Sequence, residues 1–255
     1  MGNIKLTLQY DGSAYIGWQR QAVKHGLSVQ QAVEGALAKV IGQAVSLHGA
    51  GRTDSGVHAL AQVAHFACPV AIPLPGLTVA LNHILPADIR IVRAEEVEDS
   101  FHARLSASGK RYRYILATDK PTVFNYRWYW PLKQMPRQEL MIQAASCLIG
   151  RHDFRHFTLS NSKAKTFGRE IYSLSVYQPS ERDLPCRLGQ ALAIEVAGSG
   201  FLYKMVRLIV GRLVAIGQGT LPPAAMADFL AGCAPMNIPP APPQGLMLME
   251  VYYNC

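Results

Sequence analysis

Between Gly49 and Ala59 the chain reads Gly-Ala-Gly-Arg-Thr-Asp-Ser-Gly-Val-His-Ala. Three glycines make the stretch conformationally permissive. Among them stand a cation, a carboxylate and two hydroxyls, the mixture expected of a loop that carries chemistry. A carboxylate so placed can act as nucleophile or base if its pocket excludes water and keeps it ionised, which makes Asp54 the candidate catalytic residue. A plainer reading stands beside it, because Asp next to Ser and Gly is also common turn or cap chemistry. Ionisation in a dry pocket calls for a counter-charge, and Arg207 is the candidate to supply it. It lies in the apolar segment Phe201 to Ile216, where Lys204, Arg207 and Gly211 fall at i, i+3 and i+7 as one polar stripe, and a lone charge buried there would be costly.

The elements that must hold these residues can be read from periodicity. Ile4 to Tyr10 alternates apolar and polar side chains, the period of a half-buried strand, and Asp11-Gly12 ends it. Ser28 is a candidate N-cap for a helix in which Val29, Val33, Ala36, Leu37, Val40 and Ile41 recur at helical spacing as far as Gly42. Apolar segments on either side of the Asp54 loop, Ala44 to Leu47 and Val63 to Ala67, predict two strands joined by it. A helix over Leu77 to Leu85 ahead of Pro86 and a strand over Ile89 to Val97 complete a β-α-β-β-α-β order. Farther on, Lys110 to Leu116 alternates so that Tyr112 and Tyr114 share one strand face and Arg111 and Arg113 the other.

Helical spacing predicts a helix from Arg137 to Ile149. Strands follow over Ile171 to Tyr177 and Ala191 to Val196, then a buried helix from Phe201 to Ile216 and a short one from Pro222 to Leu230. A proline-rich loop over Pro235 to Pro243 leads to a last strand, Leu246 to Tyr252. The second half thus repeats the element order of the first without repeating its sequence. The predicted fold class is α/β (α+β): two similar β-α-β-β-α-β halves with mainly antiparallel sheets and a catalytic cleft between them. The expected division is 1–106, carrying the Asp loop, and 107–255, carrying the Tyr strand and the Arg helix.

The 255 residues carry a net charge of +8 and a pI near 9.3, which suggests a polyanionic partner. Tyr15 to Gln21 mixes rings with an amide and Arg20, a combination that suits RNA; Trp18 as core and Arg20 as surface is the bland alternative. Lys163, Lys165 and Arg169 form a basic loop, which is either a solvated face or an RNA contact. Five scattered cysteines without a CxxC pair indicate a reduced, intracellular chain without structural zinc. His152 and His156 are four apart with Asp153 between, but they follow a helix-ending glycine, and a metal is given little weight. There is no GxGxxG fingerprint after a strand and no Walker loop, and Lys204, Arg207 and Arg212 interrupt the longest apolar helix candidate, which is therefore not a membrane span.

The Gly49 to Ala59 loop, read with Gln62-Val63-Ala64-His65-Phe66 after it, resembles the signature of the tRNA pseudouridine synthase A family. Similarity recurs at Gly150-Arg151-His152-Asp153-Phe154 and at Gly200-Phe201-Leu202-Tyr203-Lys204-Met205-Val206-Arg207, and it runs from the N-terminus to the last strand. The resemblance implies an isomerase that turns uridine into pseudouridine in the anticodon stem and loop of tRNA, at neighbouring uridines (positions 38 to 40 in the tRNA convention). Asp54 would be its catalytic carboxylate, Tyr112 would lie against the target uracil, and the Arg207 motif matches. Leu246 would close the apolar side of the pocket. Arg20, Arg52 and Arg104 would contact the RNA backbone or the flipped nucleotide, with Lys163 and Lys165 also on the RNA.

Base flipping is implied, because the target must leave its stack to reach Asp54. So are a homodimer, a cytoplasmic location and no membrane. The isomerisation changes no redox state and releases no molecule, so neither cofactor nor metal is expected. Two residues depart from the family pattern: Lys204 stands where asparagine or histidine is expected, and Met247 where tyrosine is. Two other readings compete. A noncatalytic RNA-binding protein with paired α/β domains leaves Asp54 and Arg207 unexplained, and a hydrolase using Asp54, Ser55 and His58 lacks a GxSxG elbow.

Overall fold

The computed structural model describes residues 2–21, 26–70, 72–159, 164–233 and 238–254. They form ten strands and five α-helices, divided into two compact units: 1–108 together with 247–255, and 109–246.

In the first unit, strand β1 (Gly2–Tyr10) turns Ile4, Leu6, Leu8 and Tyr10 inward. Helix α1 (Val29–Ile41) starts on a reciprocal capping box, in which the Ser28 side chain meets the Gln31 amide and the Gln31 side chain returns to Ser28, and it ends at Gly42. The strand expected before the Asp54 loop is displaced: β2 is the two-residue stub His48–Gly49 and not Ala44 to Leu47. It pairs antiparallel with β3 (His58–Cys68), so that the loop caps a hairpin. Helix α2 begins earlier than expected and spans Leu74–Ile84, and β4 spans Ile89–Val97. The last strand, β10 (Leu246–Tyr253), joins this unit, with Met247 and Leu248 parallel to His58 and Ala59. The strand order is β4-β1-β3-β10, with β2 against β3.

The second unit carries β5 (Ala107–Ala117), β6 (Trp130–Pro131), β7 (Gly150–Asp153), β8 (Gly168–Tyr177) and β9 (Ala191–Gly198), in the order β5-β9-β8-β7 with β6 beside β5. β5, β9, β8 and β7 pair antiparallel. The short strands β6 and β7 are additions to the simple repeat expected. Helices α3 (Gln138–Ala145), α4 (Met205–Gly217) and α5 (Ala225–Ala231) complete it. On β5 the two-residue period holds: Tyr112 and Tyr114 are buried, while Arg111 and Arg113 both reach Glu195 across the ladder, at 3.2 and 3.0 Å. The basic face is thus paired as well as solvated.

Helix α4 differs from its expected start. Phe201 to Lys204 form a turn ending with Lys204 at φ 59°, the left-handed region, and regular helix begins at Met205. Lys204 therefore stands at the N-cap of the helix that carries Arg207. The same helix buries Arg212, whose guanidinium lies 4.1 and 4.2 Å from the ring centroids of Phe157 and Phe229. Burial lowers the pKa of Arg212 to about 10.

Candidate active site

In the first unit, the Asp54 loop is gripped from its backbone. Trp18 N–H donates to Thr53 O at 3.1 Å, Val57 N–H to Asp54 O at 3.1 Å, and Ala50 N–H to Val63 O at 2.7 Å. Behind it, Tyr10 and Thr53 share a hydroxyl hydrogen bond of 2.8 Å, and the Gln62 amide donates to Gly51 O at 3.0 Å. Burial drives the Tyr10 phenol up to about 12, so it stays a neutral hydroxyl that braces Thr53.

The segment from residue 15 to residue 18 presses on the loop. Gly17 has φ 104°, and a Cβ there would stand 2.5 Å from Thr53 O, so only glycine allows this approach. Tyr15 and Trp18 are both buried, at 5% and 1% exposure, and Tyr15 donates its hydroxyl to Asp88 at 2.6 Å. The Trp18 ring lies against Gly49 at the start of the loop and beside Tyr10, 6.2 Å between ring centroids. The expectation that this aromatic segment binds RNA through those rings is corrected.

Ser55 donates to Tyr15 O at 3.0 Å, and His58, 1% exposed, accepts the Gly12 N–H on Nδ1 at 3.1 Å. Asp11 Oδ1 also lies 3.1 Å from that nitrogen. Asp11 Oδ1 also accepts from Ser13 N–H and Oγ–H. Ser55 and His58 thus have structural duties, and a hydrolytic triad with Asp54 has no support from these bonds. Asp54 itself is partly buried on this fixed backbone, a preorganised carboxylate of the kind nucleophilic or base catalysis needs.

Other first-unit residues expected at the site are cations. Arg52 and Arg104 are exposed. Arg104 sits in a turn whose backbone closes on His102, with Arg104 N–H donating to His102 Nδ1 at 3.2 Å and Ser106 N–H to His102 O at 2.9 Å. Arg20 is ion-paired with the buried Glu34, yet keeps 58% of its side chain exposed. An open cavity of about 840 Å³ also lies in this unit. Its walls include Glu96, Glu98 and Asp99 and no residue expected at the site, and that lining is hostile to a polyanion.

In the second unit, Tyr112 is 7% exposed and packs edge-on against Phe201 at 5.3 Å. Arg207, 8% exposed, donates from Nε to Ala241 O at 2.7 Å, and Ala241 N–H returns a bond of 2.9 Å to Arg207 O. The Tyr114 hydroxyl donates to the next carbonyl, Pro242 O, at 2.7 Å. Burial holds Tyr114 well above the usual phenol pKa, and the nearby Arg207 cation opposes that shift. Arg207 and Tyr114 therefore hold adjacent carbonyls of the segment that delivers Leu246, which is 5% exposed.

Gly245 makes the delivery possible, since a Cβ there would stand 2.6 Å from the Tyr114 ring. Sequence reasoning missed this second role of Tyr114; its signal was the shared face with Tyr112. It also missed Tyr10, Gln62 and Gly17, whose duty exists only in tertiary contact. Lys165 is exposed, whereas Lys163 lies outside the described residues. No group of three or more His, Cys, Asp or Glu among the described residues is arranged to hold a metal ion. No helix among them is long and apolar enough to cross a membrane.

The sequence profile of the tRNA pseudouridine synthase family matches residues 7–105 and 144–254, segments that include Asp54, Arg207 and Leu246. The chain belongs to that family. This tRNA pseudouridine synthase is therefore an isomerase. It is 44% identical to the "tRNA pseudouridine synthase A" of Syntrophotalea carbinolica, covering 99% of this chain and 97% of that one. The protein of the same name from Geotalea daltonii is also 44% identical, over 99% and 100%. The one from Thermoanaerobacter sp. strain X514 is 42% identical, over 99% and 100%. Among solved structures, the synthase is similar to one titled "Crystal Structure of a Cbf5-Nop10-Gar1 Complex", with a TM-score of 0.38 and 12% identity over 83% of this chain and 45% of that one. At that distance the likeness decides nothing.

Proposed function

We propose that this synthase isomerises uridines in the anticodon stem and loop of tRNA, at positions 38 to 40, with Asp54 as the catalytic carboxylate. The observation that carries the reading is the Asp54 loop itself: a carboxylate on a backbone fixed by Trp18, Val57 and Gln62, in a chain of this family. In the reaction the bond from uracil N1 to ribose C1′ breaks and one from C5 to C1′ forms; the C5 proton is lost to solvent and N1 gains one. Asp54 acts as nucleophile toward the uracil ring or the sugar, or as a base. Tyr112 lies against the uracil, and Leu246 closes the apolar side.

Arg207 contributes the cation of the site. The target uridine is flipped from its stack, with Arg20, Arg52, Arg104, Lys163 and Lys165 on the RNA backbone or the flipped nucleotide. The enzyme works in the cytoplasm as a homodimer, with the Asp loop in the unit of 1–108 and 247–255 and the Tyr and Arg residues in that of 109–246, and it needs neither cofactor nor metal.

The test is tritium release from tRNA labelled at uridine C5. Asp54→Asn keeps the shape and removes the charge, so turnover should vanish while tRNA affinity stays within about threefold of wild type. Multiple turnover by a clean Asp54→Asn preparation would remove Asp54 from the chemistry. A wild-type protein that binds tRNA but releases no tritium would leave the noncatalytic RNA-binding reading in its place.

A further inference from the structure

The connection between β5 and β6 in the second unit shows water more apolar surface than its neighbours do. Val123, Phe124 and Tyr126 are 72%, 85% and 49% exposed within four residues of chain. Scattered apolar side chains on a surface need no explanation, but a cluster with a large ring at its tip marks a contact.

The loop is also well braced. Thr122 N–H donates to Asn125 Oδ1 at 2.7 Å, Tyr126 N–H to Thr122 O at 3.0 Å, and Trp128 N–H to Asn125 O at 3.1 Å. Tyr129, fully buried, anchors its base and donates to Asp119 O at 3.2 Å. The backbone that presents Phe124 to solvent is thus held by the fold.

Its charge points to the partner. From residue 118 to residue 133 the chain has three cations, Lys120, Arg127 and Lys133, and one acid, Asp119. The Asp119 carboxylate accepts from Gly189 N–H at 2.9 Å and Gln190 N–H at 3.4 Å, which turns it to structural use. The Arg127 guanidinium lies 5.3 Å from the centroid of the Tyr126 ring. Exposed rings beside cations match what single-stranded or looped RNA requires: π faces for unpaired bases and positive charge for the phosphates that follow them.

We infer that the Val123 to Arg127 loop is a second tRNA contact, in which unpaired bases of the substrate stack on Phe124 and Tyr126. This rests on the functional reading above for the identity of the RNA. The loop begins after Ala117, roughly 17 Å along β5 from Tyr112 at the rise of a strand. The stacked bases therefore belong to nucleotides other than the reacting uridine, and the contact is one of affinity, not of chemistry.

The experiment compares the full-length wild-type protein with Phe124→Ala, Phe124→Leu and Phe124→Trp. It uses unmodified tRNA transcript for binding, tritium release for kinetics, and sedimentation for mass. Phe124→Ala should weaken tRNA binding about fivefold to a hundredfold, the range for losing one stacked base. It should raise KM and leave kcat and the thermal unfolding midpoint unchanged. Phe124→Trp should restore affinity because it keeps a π face; Phe124→Leu, which keeps only apolar bulk, should not.

Unchanged affinity in Phe124→Ala overturns the inference. So does equal rescue by Leu, or an affinity loss that tracks a fall in sedimenting mass at the same protein concentration, which would give the loop to contact between copies. If the wild type releases no tritium, the functional reading fails, while the binding comparison still decides the loop.

Discussion

A single methyl group at residue 17 tests how the Asp54 loop is held. Gly17→Ala must accept φ 104° and a Cβ 2.5 Å from Thr53 O, so either the loop or the segment from residue 15 to residue 18 gives way. The expected cost is roughly 1–3 kcal/mol in urea unfolding, with a fall in single-turnover rate larger than any loss of tRNA affinity. A wild-type rate in Gly17→Ala would show that Asp54 does not depend on that backbone. Lys204 sets the opposite test. It is the one non-glycine among the described residues with positive φ, and the asparagine or histidine that family resemblance leads one to expect there are side chains that enter this region readily. Lys204→Asn should therefore raise stability by about 1 kcal/mol, read as a higher unfolding midpoint. An unchanged or lower midpoint would mean that Lys204 repays its strain locally, for instance through its ammonium 5.2 Å from the Tyr203 ring.

Among the elements, β2, β3 and the turn after β4 bring three histidines together. His65 lies 5.3 Å from His48 and 4.6 Å from His102 between ring centroids, and its Nδ1 accepts Ala103 N–H at 3.1 Å. Lys5 is its register partner on β1 and is itself paired with Glu95. Burial, then the charges of His102 and His48, lower the His65 pKa from 6.5 to about 4. The unfolded chain therefore binds a proton that the folded chain refuses between those values. Stability should fall as pH drops from about 6.5 towards 4 and level off below, by on the order of 1–2 kcal/mol once solvent screening around the ring reduces the full linkage value. Urea unfolding across that range checks it, and His65→Gln should flatten the profile; an equal slope in that variant assigns the effect to other groups. How much of these elements was legible follows from what each depends on. Helix α1 and strand β4 were readable because caps and periodicity are local. The start of α4 was not, because residues 201 to 204 carry the same apolar character as the helix and leave it only through the backbone at Lys204. In the sequence the polar stripe marks Arg207, whereas Arg212 shows only as an interruption of an apolar segment. Its partners Phe157 and Phe229 are ring faces brought in from distant segments, and no spacing rule announces them. Asp54 was legible as a residue type in a glycine-rich loop, but Tyr10, Gln62 and Gly17, which hold it, were not.

For the molecule as a whole, the charge of +8 predicts that tRNA affinity falls steeply with salt. Each phosphate contact should add a slope of roughly −0.7 to −0.9 in log K against log salt. Neutralising Lys163 and Lys165 together should make that slope shallower, and binding indifferent to salt would show that the excess cations serve something other than RNA. The strand order carries a different consequence, one of timing. The sheet of the first unit takes in β10, whose Met247 and Leu248 lie beside His58 and Ala59 and whose Tyr253 donates to Ala103 O at 2.7 Å. On the ribosome, residues 1–108 emerge long before that strand exists, so the nascent first unit waits with β3 uncovered at His58 and Ala59, outside the stretch β2 pairs, while the whole of 109–246 is made. An open edge is a template for pairing with another chain. The strand that carries the end of the Asp54 loop is thus sealed last, after the whole of the second unit has been made.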